Sequence, residues 1–340
     1  MAKAKINHWL MVRLGHLGDV LLTTGVLRHF GQTQGLVFDV LTRSQWAEVF
    51  TNHPHVNSVH VATAENLASG GILPFTRQVA GSTPAGCGLL DLHGVLRTRI
   101  MRLVWSGEVA AYPKMGVARR FFQASHGRYC GEALREISVP QRYALALDAS
   151  ITPESYLLPQ LWLDARELEE GEQLLRGAGF AGTTRPVALH PFATHASKAW
   201  PAKHWERLAA LMESQGIPWI WVGKRGGGPK GSAGQPVLSG PSLVDACTLR
   251  QSAAVLARCR SLITGDSGPM HLARAVGTPV VAIFGPTTRE WGFYPTPAEG
   301  KVLERPMPCR PCSLHGQKTC PHEHRCLAEI TPEEVLSELP

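Results

Sequence analysis

Nowhere do the 340 residues supply the roughly 18 consecutive apolar residues that a membrane-crossing helix needs, which excludes a spanning segment on sequence grounds. The stretch from Met1 to Leu22 is broken by Arg13 and Asp19 and lacks a small-residue cleavage site, so a secretory signal is not expected. Charged residues make up only 18% of the chain against 44% hydrophobic, a balance that excludes disordered, coiled-coil and collagen-like classes. Cysteine is also sparse. Of eight, Cys87, Cys130, Cys247 and Cys259 lie scattered, and the other four crowd into 309–326, which is not a disulfide framework. A reducing, cytoplasmic setting is the expectation. A chain of this length buries about three quarters of its unfolded surface and needs no such staples; at roughly 150 residues per domain it predicts about two domains.

What is present is a surplus of basic charge. The net charge is +7, and the first 155 residues carry 15 Lys/Arg against 10 Asp/Glu while the rest carry 19 against 17. The surplus peaks between 97 and 142, where nine basic residues face three acidic ones. A local excess of this kind points to a phosphate-bearing ligand or an anionic membrane face.

Two halves repeat one pattern: a short apolar run, a glycine-rich turn, then an amphipathic helix. Met11-Val12-Arg13-Leu14 ends a strand, Gly15-His16-Leu17-Gly18-Asp19 turns, and Val20 to Phe30 reads as helix. Val37 to Leu41, Val56 to Val61 and Gly88 to Leu92 read as further strands. Segment 148–160, with two prolines and no helical period, is the predicted linker. The pattern restarts with a helix from Ala165 to Gly177 and a strand from Pro186 to His190. A helix from Ala202 to Ser214 follows, then strands Ile217–Val222, Ser261–Thr264 and Pro279–Phe284. Alternating strands and helices imply parallel sheets with right-handed crossovers. The expected class is therefore α/β, with two Rossmann-like doubly wound domains over 1–155 and 156–326 and a C-terminal helix over 327–340. Ligands of such sheets bind at the carboxyl ends of the strands, and two such edges facing across a cleft are the expected site.

Three turns carry chemistry. Gly15-x-x-Gly18-Asp19 opens a helix, so its backbone N–H groups can face an anion while Asp19 can take a proton from a hydroxyl. Its spacing is not G-x-G-x-x-G, and Asp39 lies inside a strand, both of which argue against a nicotinamide cofactor. His190 to Pro201 runs from a strand through a polar loop with Thr194 and Lys198, a natural phosphate counter-ion, to a helix. Thr264-Gly265-Asp266-Ser267-Gly268-Pro269-Met270-His271 is a strand, a small-residue turn and a helix, a second anion seat.

In order along the chain, VRLGHLGDVLLTTGVLRHF, DLHGVLRTRI, ALHPFATHASKAWPAKHWERLA and LITGDSGPMHLARAVGTPVVAIFGPT resemble the glycosyltransferase family 9 heptosyltransferases of lipopolysaccharide assembly. The resemblance implies a GT-B fold and inverting transfer of a heptose from ADP-heptose to a phosphorylated glycolipid acceptor in the lipopolysaccharide inner core. It implies Asp19 as general base, and Gly18, Thr194, Lys198, Asp266, Ser267, Gly268 and His271 as donor-binding residues. It also implies Arg97 and Arg99 against the acceptor's anionic groups. No cofactor is required for transfer, no nucleic acid is expected, and the protein is expected on the cytoplasmic face of the inner membrane. One stretch departs from the family: the loop Gly223 to Gly234 is basic and glycine-rich where the family commonly has an acidic residue near the nucleoside. Another nucleotide sugar, with a glycolipid or protein acceptor, is therefore the alternative.

Cys309-x2-Cys312-x7-Cys320-x5-Cys326, with His315, His322 and His324 between, has metal-like spacing. Four thiolates can hold Zn²⁺ or an iron–sulfur cluster, and the competing expectation is reduced thiols. A third reading follows: a metal-binding module on a catalytically silent scaffold.

Overall fold

The computed structural model describes residues 6–68, 70–225, 236–313, 320 and 322–340. The chain runs β1 (His8–Val12), α1 (Leu17–Gln34), β2 (Val37–Arg43), β3 (Val56–Ala62), α2 (Ile72–Ser82), β4 (Gly88–Asp91), α3 (Leu96–Val104) and β5 (Val109–Ala111). Three short helices follow, α4 (Gly116–Ala124), α5 (Gly131–Arg135) and α6 (Val139–Ala144). Then come α7 (Ala165–Gly177), β6 (Val187–His190), α8 (Ala202–Ser214), β7 (Trp219–Trp221), α9 (Leu249–Arg258) and β8 (Ser261–Gly265). The chain closes with α10 (Gly268–Ala275), β9 (Val280–Phe284), β10 (Gly300–Glu304), α11 (Arg325–Ala328) and α12 (Pro332–Ser337).

Two compact units result: residues 1–114 with 137–162, and residues 115–136 with 163–340. Each holds one five-stranded, wholly parallel sheet, ordered β3-β2-β1-β4-β5 in the first and β10-β9-β8-β6-β7 in the second. The α/β class with two doubly wound sheets is thus observed. Strand order reverses between β1 and β4 in one sheet and between β6 and β8 in the other. A crevice opens at the carboxyl ends of such strands, because the flanking connections leave to opposite faces there.

The central strands are apolar on both faces, as a sheet covered by helices on two sides requires. Leu10, Met11, Val12, Leu89 and Leu90 are buried in the first sheet, and Val187, Leu189, Ile263, Val281 and Ile283 in the second. In the first unit α1 is buried nearly all round, from Val20 to Phe30. In the second, Trp200, Trp205, Trp219 and Trp221 pack edge to face under α8, with neighbouring ring centroids 5.0–6.4 Å apart. No helix among the described residues is long and apolar enough to cross a membrane.

Candidate functional site

The first cluster grows from the reversal between β1 and β4. Arg13 directly follows β1 and is buried, with its guanidinium in the turn after β4: Nη1 donates to the Leu92 carbonyl at 2.5 Å. Its Nη2 meets Asp19 Oδ2 at 2.7 Å. Asp19 stands in the first turn of α1, where the helix dipole also favours a carboxylate, with Gly18 buried beside it. The Tyr143 ring lies under the guanidinium, 5.5 Å from centroid to Cζ, and its hydroxyl donates to Asp19 Oδ1 at 3.4 Å. Tyr112 packs edge-on against Tyr143 at 5.1 Å.

Burial opposes the charge on Arg13, yet Asp19 first, with Tyr143 and Tyr112, outweighs it and holds the guanidinium above its ordinary value. Burial pushes the Tyr143 phenol well above the usual range, so it remains a neutral donor. The neighbouring His93 is pushed down to about 3, by burial and then by Arg13, and is neutral at pH 7. Arg13 and Tyr143 were not singled out in the sequence. Tyr143 lies 124 residues from Asp19, and only the fold brings it there.

The second cluster grows from the reversal between β6 and β8, where His190 pairs in register with Thr264. Lys198 ends a short 3₁₀ turn, Ala196–Lys198, in the loop after β6. Its ammonium meets Asp266 Oδ2 at 2.5 Å, and the Thr287 hydroxyl donates to the same oxygen at 2.8 Å. Burial pushes the Asp266 carboxyl up, but Lys198 and the two hydrogen bonds outweigh it and hold the group below the usual aspartate value. Asp266 therefore fixes the lysine and does not cap α10, whose N-cap is Ser267. Gly268 and Pro269 begin α10; no side chain caps it, and its first-turn backbone N–H groups, of which Pro269 has none, have no partner within the helix.

Behind this rim His190 Nδ1, Thr264 Oγ1 and Ser267 Oγ form a chain with neighbouring atoms 3.0 Å apart from ring to Thr264 and from Thr264 to Ser267. Burial pushes His190 down to about 4. Gly223, after β7, has φ of 113°, and a Cβ there would lie 2.4 Å from the His190 ring, so only glycine fits. His271, in the second turn, has Nδ1 3.1 Å from Arg274 Nη1; a guanidinium only donates, so Nδ1 accepts. Thr194 is exposed in the loop before Lys198.

The loop from Gly223 to Gly234 lies largely outside the described residues. At its start the Arg225 backbone N–H donates to Asp245 Oδ1 at 2.7 Å. The basic stretch divides its charges among several partners. Arg97 and Arg99 are exposed on α3, Arg102 lies 3.8 Å from Asp91, Arg119 stacks over Trp291 at 5.1 Å, and Arg135 pairs with Glu290.

Cys309, Cys312, Cys320 and Cys326 line one cavity of about 430 Å³, together with His322, His324 and Ser197. Burial, and then the other thiols, pushes the Cys312 thiol up; burial takes Cys326 to about 11. Among the described residues, no three His, Cys, Asp or Glu side chains converge as a metal site, and His315 lies outside them. The donor chemistry nonetheless suits a thiophilic cation: four soft sulfurs share one enclosure.

A chain with these two rims matches known proteins along nearly all of its length. Lipopolysaccharide heptosyltransferase 1 of Pseudomonas aeruginosa is 27% identical over 96% of this chain and 92% of its own. Escherichia coli ADP-heptose lps heptosyltransferase II superposes with a TM-score of 0.67 at 18% identity, covering 98% of this chain and 97% of that one. TibC, an iron-containing dodecameric glycosyltransferase of enterotoxigenic E. coli, superposes at 0.62 with 15% identity, over 98% and 75% of the two chains. These superpositions identify the shared GT-B fold. The sequence profile of glycosyltransferase family 9 (heptosyltransferase) matches residues 132–321. That match covers more than half of the sequence and takes in the whole Lys198–Asp266 rim, and the chain is accordingly a glycosyltransferase belonging to family 9.

Proposed function

We propose that this enzyme transfers a heptose from ADP-heptose to the inner core of lipopolysaccharide, on a lipid A–Kdo or heptosyl acceptor, with inversion at the anomeric carbon. The acceptor oxygen forms its bond to C1 as the bond from C1 to the β-phosphate oxygen breaks. Asp19 takes the acceptor's proton, and ADP leaves. A positioned base of this kind contributes roughly 10²–10⁴-fold. The leaving diphosphate needs cationic and N–H donors, which Lys198, Thr194, Ser267 and the start of α10 at Gly268 supply. Asp266 orients Lys198, Gly18 lets the backbone come close, and His271 belongs with Asp266, Ser267 and Gly268 to the segment that holds the donor diphosphate. Arg97 and Arg99 receive the acceptor's anionic groups, and the enzyme works on the cytoplasmic face of the inner membrane, where such acceptors are made.

The observation that carries this reading is the Lys198–Asp266–Thr287 rim at the strand reversal of the second sheet, a fixed cation beside a helix N-terminus. The test is transfer from ADP-heptose compared with other nucleotide sugars, using wild type and Asp19→Asn. Transfer from ADP-heptose alone, abolished by Asp19→Asn with donor binding retained, is expected. Equal loss of turnover and donor binding would make Asp19 structural, and preference for another nucleotide sugar would favour the alternative donor.

The four clustered thiols, which line one cavity, are the place for a second assignment: Cys309, Cys312, Cys320 and Cys326 would close around a structural zinc ion or iron–sulfur cluster without a part in transfer. Protein purified without air or chelator should contain one equivalent. Substoichiometric zinc and iron would leave reduced thiols as the answer.

A further inference from the structure

Helix α3 turns its apolar side outward. At 100° per residue, Leu96, Ile100, Leu103 and Val104 fall within one arc of roughly 100°. On that arc Leu96 is 75% exposed, Leu103 84% and Val104 42%. The inward side buries Thr98 and Met101, and Ile100, in the middle of the arc, is partly buried against the core of the first unit, so Leu96, Leu103 and Val104 are what the arc exposes. Arg99 borders the stripe on one side and Arg97 on the other, both exposed, with Arg102 beyond Arg99. The sequence Leu-Arg-Thr-Arg-Ile-Met-Arg-Leu-Val contains no acidic residue.

The outward face is held there by both ends of the helix. At the N-terminus the Thr98 hydroxyl bonds back to Val95, accepting its N–H at 3.1 Å and donating to its carbonyl at 3.0 Å. At the C-terminus the buried Trp105 indole donates to the Cys87 carbonyl at 2.9 Å. A soluble helix normally places aliphatics inward and arginines outward. Here the aliphatics and the arginines share the exposed side, an arrangement that suits an interface with hydrocarbon at its centre and anions at its edges.

We propose that α3 seats in the headgroup layer of a bilayer containing anionic phospholipid. Leu96, Leu103 and Val104 enter the acyl boundary, and Arg97 and Arg99, which flank them, lie level with the phosphates of the lipid and of the membrane-borne acceptor. Charge complementarity selects this occupant, since the two exposed guanidiniums of Arg97 and Arg99 flank the stripe and α3 carries no acidic residue. The inference rests on the membrane setting proposed above and names the element that makes the contact.

The test is flotation with vesicles of phosphatidylglycerol and phosphatidylethanolamine, against pure phosphatidylcholine, for wild type and Leu96→Gln/Leu103→Gln. Wild type should float with the anionic vesicles, less so as salt rises. The double variant should lose binding at least tenfold while keeping its thermal midpoint and its rate on a water-soluble acceptor. Equal binding by the variant, equal binding to phosphatidylcholine, or no binding by wild type would overturn the proposal. So would a wild-type dimer in sedimentation that the variant converts to monomer, since a second copy would then cover the stripe. Flotation as expected without transfer from ADP-heptose would instead overturn the donor assignment and leave the membrane contact standing.

Discussion

Arg13 Nη2 lies 2.7 Å from Asp19 Oδ2, and the same buried guanidinium is anchored through Nη1 to the Leu92 carbonyl at the carboxyl end of β4. The carboxylate of the first turn of α1 is thereby referenced to the central strands of its sheet and not to its own helix alone. Misplacing a reacting group by about 1 Å can cost 10²-fold in rate. Arg13→Met is therefore expected to lower kcat by about 10- to 100-fold with donor KM within about twofold, and Arg13→Lys to recover part of the loss. Steady-state kinetics on both variants checks this. A donor KM that rises in step with the fall in kcat would move Arg13 from positioning to binding.

Lys198 and Asp266 make a sharper test, because one pair carries both stability and ligand binding. The side chains are 16% and 14% exposed, so removing the lysine leaves a mostly buried carboxylate that has lost its ion pair and keeps the Thr287 hydroxyl. Breaking one side of such a pair costs up to about 3–5 kcal/mol. Lys198→Met should lower both the thermal midpoint and affinity for ADP. Lys198→Met/Asp266→Asn should regain most of the midpoint without regaining affinity. If the double variant binds ADP as wild type does, the lysine is structural.

The two-sheet architecture and the turns that matter were legible because apolar runs such as Leu10–Val12, Val187–Leu189 and Leu262–Ile263 are uninterrupted and each gives way to a glycine-rich turn or a polar loop. Shorter edge elements were not. β5 is three residues, and β10 reads Gly-Lys-Val-Leu-Glu, with too few apolar positions to announce a strand. Within the site, Asp19, Lys198 and Asp266 stood out because charged groups at helix entrances have a chemical rationale in sequence alone. Arg13, Tyr143 and Thr287 did not, since nothing local marks them. Arg13 completes an apolar strand, Tyr143 lies in a short helix, and Thr287 acquires a role only by accepting a place against Asp266, 21 residues away.

Stability of the wild type should fall between pH 7 and pH 5 in part through His190. Its folded value is about 4 against 6.5 for an ordinary histidine, so between those limits the unfolded chain holds more protons and stability rises with pH. The contribution is complete above about 6.5 and is lost as pH falls toward 4, at about 1.4 kcal/mol per pH unit. His190→Gln, which can still meet Thr264, should therefore show an acid-induced loss smaller by about 2 kcal/mol at pH 5. Denaturant unfolding of both proteins at pH 7 and pH 5 measures the difference. Identical losses would mean that the buried ring takes up its proton without opening the fold.

Gly25 offers a test of the fold beneath the first rim. It sits in the middle of α1 with an ordinary helical backbone, where alanine would normally add roughly 1 kcal/mol of helix propensity. A Cβ at that position, however, would lie 2.2 Å from the Leu158 carbonyl oxygen and 2.4 Å from that of Leu157. Both obstacles are backbone, so no side-chain rotation relieves them, and the segment carrying Leu157 would have to move off α1. That segment also donates the Gln160 N–H to the Thr24 hydroxyl at 2.9 Å and receives Arg28 at Gln160 Oε1, 2.6 Å. Overpacking of this kind typically costs about 1–3 kcal/mol, and here the lost hydrogen bonds add to it. Gly25→Ala should therefore lower the thermal midpoint by several degrees despite the gain in propensity. A midpoint raised by the substitution would mean that α1 and the 157–160 segment are less closely joined than these contacts require.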